Sequence, residues 1–200
     1  MNGSMTDPDP IRALSPLVQI FEQSGIPYYV SGSLASSVFG IARATIDVDL
    51  VAGIEMQHID ILKTRLQGQY YIDEVMIAEA VAHSSSFNVI HLETSIKIDV
   101  FIPADDPYAR NAMDRRRADT LSEAPVSQEF FFCSREDIIL HKLSWYQSGG
   151  GVSERQWLDV LGVIKVQADS LDKEYLKRWS KELGVFELLQ RAFRQGGVSL

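Results

Sequence analysis

Three aspartates carry the most chemistry in this sequence. Asp47-Val48-Asp49-Leu50-Val51 alternates as a β-strand does, so Asp47 and Asp49 share one face while Val48 and Leu50 take the other. Ile96-Lys97-Ile98-Asp99-Val100-Phe101 alternates in the same way, with Ile96, Ile98 and Val100 on an apolar face and Lys97, Asp99 and Phe101 opposite. If the two strands are neighbours, three carboxylates lie within about 5 Å, each pair repelling by roughly 3 kcal/mol at an effective dielectric of 20. A divalent cation relieves such a cluster. Oxygen-only ligation selects Mg²⁺ or Mn²⁺, commonly held by one or two carboxylates together with substrate phosphates.

A place for phosphate precedes the aspartates. Tyr28-Tyr29-Val30 reads as a short strand running into Ser31-Gly32-Ser33, after which Leu34 to about Gly40 is expected to be helical. Gly32 lets backbone amides approach an anion closely, and a helix N-terminus favours its charge. Asp-x-Asp by itself is a weak signal, since Asp7-Pro8-Asp9 shows the same spacing in a polar N-terminal stretch. The order strand, Gly-Ser turn, helix, Asp-x-Asp strand and third Asp in a later strand is a stronger one.

That order, over about residues 11 to 103, resembles the nucleotidyltransferase superfamily typified by DNA polymerase β. Arg43-x-Thr45 is similar to the Arg-x-Thr that precedes the aspartates in its small bacterial members. The resemblance implies an α+β fold in which a mixed β-sheet with flanking helices is followed by a C-terminal helical bundle. It implies that Gly32 and Ser33, with Arg43 and Thr45, hold a nucleoside triphosphate, and that Asp47, Asp49 and Asp99 bind two metal ions. Asp99 would also help to activate the attacking hydroxyl. Two metals about 4 Å apart stabilise the entering and leaving oxygens of an in-line displacement. Lys142 followed by Arg155-x-x-x-Asp159 is similar to the abortive-infection toxin branch of the superfamily, in which the Lys and Asp belong to the active site. On that resemblance the two halves line one cleft, with Lys142 touching phosphates and Asp159 completing or buffering the metal site.

The elements that must position these residues can be read in outline. A polar tail spans residues 1–10, an α/β core 11–134 and a helical region 135–200. Ile11, Leu14, Leu17, Val18 and Phe21 predict an amphipathic helix over 10–24, stopped by Gly25 and Pro27. A helix is expected near 57–67, a strand near 70–72, and two strands over 86–92 and 95–102 joined by a hairpin at Glu93-Thr94. Residues 107–117 read as helix, and helices over 135–147, 153–168 and 172–194 follow, the last open to a break at Gly184. On the first of these, 100° per residue places Lys142 in the middle of the face formed by Ile138, Ile139, Leu143 and Tyr146. A buried ammonium must either extend to solvent or meet an anion. Arg155 and Asp159 are spaced as a surface ion pair.

Composition narrows the function classes. The chain has 200 residues, 46% hydrophobic and 23% charged, with one cysteine, Cys133, which cannot form an internal disulfide. No apolar run of spanning length or secretion signal is readable, so a cytoplasmic enzyme is expected. The net charge of −8 arises in the first half, where residues 1–109 carry 5 Lys/Arg against 14 Asp/Glu. An acidic chain is a poor general binder of nucleic acid. Arg110, Arg115, Arg116 and Arg117 could hold a polyanion, although a solvated helix face explains them as well. His58, His83, His91 and His141 lack metal-ligand spacing. The expectation is therefore a Mg²⁺-dependent transfer of a nucleoside monophosphate from an NTP, ATP included, to an acceptor hydroxyl. RNA, and a tRNA 3′ end in particular, leads as acceptor on the toxin resemblance, ahead of a protein or small molecule. The alternative is a non-catalytic nucleotide-sensing module or toxin-antitoxin partner, and a homodimer is open.

Overall fold

The computed structural model describes residues 9–41, 47–121 and 128–200. The expected tail, apart from Asp9 and Pro10, and the Arg43 and Thr45 positions lie outside them. Seven strands form one mixed sheet: β1 Tyr28–Ser31, β2 Val48–Ala52, β3 Tyr70–Tyr71, β4 Ser86–His91, β5 Lys97–Phe101, β6 Arg117–Thr120 and β7 Glu129–Phe132. Their order is β3-β4-β5-β2-β1-β7-β6. β2 pairs parallel with β5, whereas β4 pairs antiparallel with both β5 and β3. The helices are α1 Asp9–Gln23, α2 Gly32–Phe39, α3 Ile59–Leu66, α4 Glu74–His83, α5 Pro107–Asp114, α6 Arg135–Ser148, α7 Glu154–Gln167, α8 Lys173–Glu182 and α9 Phe186–Gly196.

The chain divides into two compact units, interleaved along the sequence. The first takes residues 1–30, 45–105 and 118–131; the second takes 31–44, 106–117 and 132–200, so α2 and α5 group with the C-terminal helices. In the first unit, Val48, Leu50, Ile98, Val100 and Val89 are wholly buried on one side of the sheet. The amphipathic α1 buries Leu14, Leu17, Val18 and Phe21. Tyr70 on β3 donates its hydroxyl to the Ala13 carbonyl at 2.6 Å, anchoring the edge of the sheet to α1. Burial raises the pKa of that hydroxyl, keeping it a donor. The Phe21, Tyr28 and Phe131 rings meet in sequence at 6.0 and 5.8 Å.

α4 is absent from the sequence reading. Its run Val75-Met76-Ile77-Ala78-Glu79-Ala80-Val81-Ala82 is apolar almost throughout, so no period stands out, and only Ile77 and Ala80 are buried. Its start is set by Asp73, whose side chain accepts from the Val75 and Met76 amides. The stretch between α5 and α6, unresolved by pattern, contains β6 and β7. Gly184 does break the last helix, adopting φ 70° between α8 and α9.

The second unit is organised by the first turn of α6. Ser134 caps it by accepting from the Asp137 amide at 3.1 Å while donating its hydroxyl to Asp137 Oδ2 at 2.6 Å. The other Asp137 oxygen accepts from the Tyr175 hydroxyl of α8 at 2.7 Å. Arg115, at the end of α5, lies 4.0 Å over the Tyr175 ring and donates to Glu136 at 2.8 Å. Glu136 in turn accepts from the Asp172 amide at the start of α8. Asp137 is wholly buried, and its charge is supported by the Ser134 and Tyr175 donors and by the Arg115 guanidinium, whose Nε lies 3.9 Å from Oδ2. Replacing Asp137 by Ala strands Tyr175 and Ser134 without acceptors, and Asp137→Ala is expected to lower unfolding free energy by about 3 kcal/mol. Urea denaturation checks this: a change below about 1 kcal/mol would show that the network is not a stabilising one.

Candidate active site

The paired strands β2 and β5 bring two of the three aspartates together. Their parallel register sets Asp49 opposite Asp99, with Val48 opposite Ile98 and Leu50 opposite Val100. Adjacent strands lie about 4.8 Å apart, so the two carboxylates leave neighbouring backbones on the same face of the sheet. Both residues are half-buried, while Asp47, just before β2, is exposed. The antiparallel pairing of β4 with β5 adds Asn88 opposite Asp99. One row across three strands therefore reads Asn88, Asp99, Asp49. Asn88 was not a candidate from the sequence.

Lys97 belongs to the same face. Its ammonium lies 2.7 Å from Asp99 Oδ2, with 44% of the side chain exposed. The hydrogen bond to Asp99 raises the lysine pKa; partial burial opposes that rise, and the charges of Asp99, Asp47 and Asp49 add to it. Lys97 is thus fully protonated near neutral pH and in the field of all three carboxylates. Among the described residues no group of three His, Cys, Asp or Glu side chains is arranged to hold a metal ion. Two neighbouring carboxylates completed by phosphate oxygens are nevertheless a usual Mg²⁺ donor set. The donor chemistry of Asp49 and Asp99 fits a hard divalent ion.

In the second unit, the Gly-Ser turn has the backbone its sequence suggests. Gly32 adopts φ 60°, a left-handed conformation that favours glycine, and opens α2. Ser31 stands at the N-cap position but makes no side-chain capping bond. Its hydroxyl instead shares a 3.2 Å hydrogen bond with His141 Nδ1 of α6. Burial lowers the His141 pKa, partly opposed by the Asp137 charge, so the imidazole is neutral. Ser33 carries the first turn onward, its carbonyl accepting from the Ser36 and Ser37 hydroxyls at 3.0 and 2.9 Å. The far end of α2 rests on α7. A Cβ on Gly40 would stand 2.9 Å from the Val163 amide nitrogen and 3.1 Å from the Gly162 carbonyl carbon.

Lys142 and Asp159 meet each other. Lys142 Nζ donates to Asp159 Oδ2 at 2.6 Å, with side-chain exposures of 4% and 8%. The ammonium predicted on the apolar face of α6 has found its anion on α7, one turn before the Gly162–Val163 seat of α2. Of the four arginines considered for a polyanion, Arg115 is engaged by Glu136, and Arg116 donates to the Met113 carbonyl at 2.6 Å. Arg110 and Arg117 are exposed. Cys133 is buried, and burial pushes its thiol pKa up, which leaves it unreactive.

The contact at Gly40 generates a prediction of its own. Gly40→Ala must part α2 from the α7 backbone, because the nearest atoms are main-chain; the expected cost is about 2 kcal/mol of stability. A thermal melt unchanged within 1 °C would contradict that packing.

No protein-family model matches the chain, and no curated protein matches its sequence. Solved structures do match. ANT(2'')-Ia in complex with adenylyl-2''-tobramycin is 13% identical, with a TM-score of 0.54 over 88% of this chain and 97% of that one. The solution structure of the antibiotic-resistance factor ANT(2'')-Ia is also 13% identical, with a TM-score of 0.52 over 95% of this chain and 94% of that one. The lincomycin-bound lincosamide antibiotic adenylyltransferase LnuA is 14% identical, with a TM-score of 0.45 over 78% and 96%. At these identities the likeness is one of fold, and together with the mixed seven-stranded sheet and its helices it shows that the chain adopts the nucleotidyltransferase-like α+β fold.

Proposed function

We propose that this chain is a nucleotidyltransferase that moves a nucleoside monophosphate from an NTP to an acceptor hydroxyl and releases pyrophosphate. The observation that carries the reading is the register of β2 against β5, which sets Asp49 beside Asp99 on a nucleotidyltransferase-like sheet. In the reaction, the acceptor oxygen forms a bond to the α-phosphorus as the bond to the β-phosphate bridging oxygen breaks. Asp99 takes the hydroxyl proton, and the electron pair of the broken bond leaves with pyrophosphate. Asp47, Asp49 and Asp99 would hold Mg²⁺ or Mn²⁺, which when bound would neutralise charge on the phosphoryl oxygens. Gly32 and Ser33 present backbone amides to the triphosphate, with Arg43 and Thr45 as further nucleotide contacts.

Lys142 and Asp159 enter this reading as a positioning pair. Each is buried against the other, and together they tie α6 to α7, the helices that hold the two ends of α2 through Ser31–His141 and Gly40–Val163.

The acceptor is best sought among small hydroxylated cations. A chain of net charge −8 repels a polyanion, and Arg115 and Arg116 already serve internal bonds. The same fold in ANT(2'')-Ia holds adenylyl-2''-tobramycin, a nucleotidylated hydroxyl compound, which supports the same direction. RNA ends remain the second class to screen. Binding of an NTP with no transfer to any acceptor would favour the nucleotide-sensing or toxin-antitoxin alternative.

Two outcomes check the proposal. With α-labelled NTPs, Mg²⁺ and a panel of aminoglycosides, lincosamides and total RNA, the wild type is expected to label an acceptor. Asp49→Asn and Asp99→Asn should lower that labelling by roughly 10³-fold while keeping the wild-type circular dichroism. Labelling unaffected by either substitution would sink the assignment. Gly32→Ala forces a side chain into a left-handed backbone at a cost of about 1 kcal/mol, and the turn is expected to reshape rather than bear it. Calorimetric titration with NTP should then show at least tenfold weaker binding; undiminished affinity would remove the turn from the nucleotide site.

A further inference from the structure

Lys97 is a charged group on the acidic face that the reaction above does not use. It lies two residues before Asp99, and the β2–β5 register continued by one step places it beside Asp47. Its ammonium is 2.7 Å from Asp99 Oδ2. Without it, the face would hold carboxylates of like charge on neighbouring backbones with no cation from the chain bonded to Asp99. The pair is partly exposed, 44% at Lys97 and 25% at Asp99, so solvent screening leaves it a modest interaction, but it occupies an oxygen that a divalent ion would also use. A divalent ion approaching Asp99 and Asp49 therefore meets an ammonium already bound at one of its ligands.

We propose that Lys97 is a tethered cation that guards the metal site: it holds Asp99 in the metal-free protein and must release it before a divalent ion can bind. This rests on the reading of Asp49 and Asp99 as metal ligands given above, and extends it to a positioning residue that sets how tightly the metal is held before nucleotide arrives. Two consequences distinguish it from an ordinary surface ion pair. First, Lys97 and the metal compete, so removing the ammonium strengthens metal binding instead of weakening it. Second, an NTP brings phosphate oxygens that can accept the displaced ammonium, so metal and nucleotide bind with positive cooperativity that depends on Lys97. Asn88 fits the same arrangement, being a neutral neighbour for Asp99 on the opposite strand where a further carboxylate would add repulsion.

The test uses full-length protein and Mn²⁺ alone, titrated by calorimetry and by the electron paramagnetic resonance of free Mn²⁺, on wild type, Lys97→Met, Lys97→Arg and Asp49→Asn. Lys97→Met is expected to bind Mn²⁺ about tenfold more tightly than wild type, and Lys97→Arg, which keeps the charge, within about threefold of it. Asp49→Asn should lose binding. Mn²⁺ should also raise the melting temperature of Lys97→Met by more than it raises that of wild type; this second readout stands even if the metal-free variant is partly unfolded. Equal Mn²⁺ affinity in wild type and Lys97→Met, with binding still lost in Asp49→Asn, overturns the guard and leaves the metal site standing. Absence of Mn²⁺ binding in all four proteins overturns the guard, and its absence again with NTP present overturns the metal site.

Discussion

The pairing of β2 with β5 is the constraint on which the candidate chemistry depends, and apolar burial enforces it. Val48, Leu50, Ile98 and Val100 have no accessible surface. Because side chains alternate along a strand, a slip of one residue would set Asp49 opposite Ile98 or Val100 and expose one strand's apolar set. Burying a lone carboxylate among such residues costs several kcal/mol. The acidic row is thus held in place by the hydrophobic face behind it, and like charges are kept adjacent by packing they do not take part in. The β4–β5 hairpin reinforces the same register, with Phe87 opposite Val100 and Val89 opposite Ile98.

The second unit solves a related problem on one helix. α6 buries Glu136, Asp137 and Lys142 along with five apolar side chains, so few of its faces are left to water. Each polar group is answered from a different element: Asp137 by Tyr175 of α8, Glu136 by Arg115 at the end of α5, His141 by Ser31 and Lys142 by Asp159 of α7. Buried pairs of this kind contribute little net stability against an apolar core, but breaking one partner is costly. Their effect is to fix which helix meets which, and α2 inherits its position from them.

The parts legible in the sequence were those with a local period. The alternation in residues 47–51 and 96–101 and the α1 stripe have one, the break at Gly184 is a single-residue signal, and the structure shows each. The angle of Lys142 also followed from helical geometry, although its partner did not, since Asp159 was read with Arg155 four residues away and not across to another helix. α4 was hidden because a nearly uniform apolar run offers no phase. Asn88 was legible in principle. A hairpin centred between Glu93 and Thr94 places position 88 opposite position 99, so the register follows from the turn. What no local pattern could supply is the β2–β5 neighbourhood itself, a parallel pairing of segments some fifty residues apart in the chain.

Both units carry a place where the ordinary local stabilisation is withheld. At the N-terminus of α2, Ser31 is a residue well suited to capping, and turning its hydroxyl to His141 forgoes about 1 kcal/mol of cap energy. On the β2–β5 face, Asp49 and Asp99 occupy adjacent positions where an opposite charge or an apolar pair would be more stable. The first favours an anion, by the polarity of the helix end; the second favours a cation, by the two carboxylates. Each departure from local optimality thus has its own reason in charge, a place for an anion at the helix end and a place for a cation beside the carboxylates.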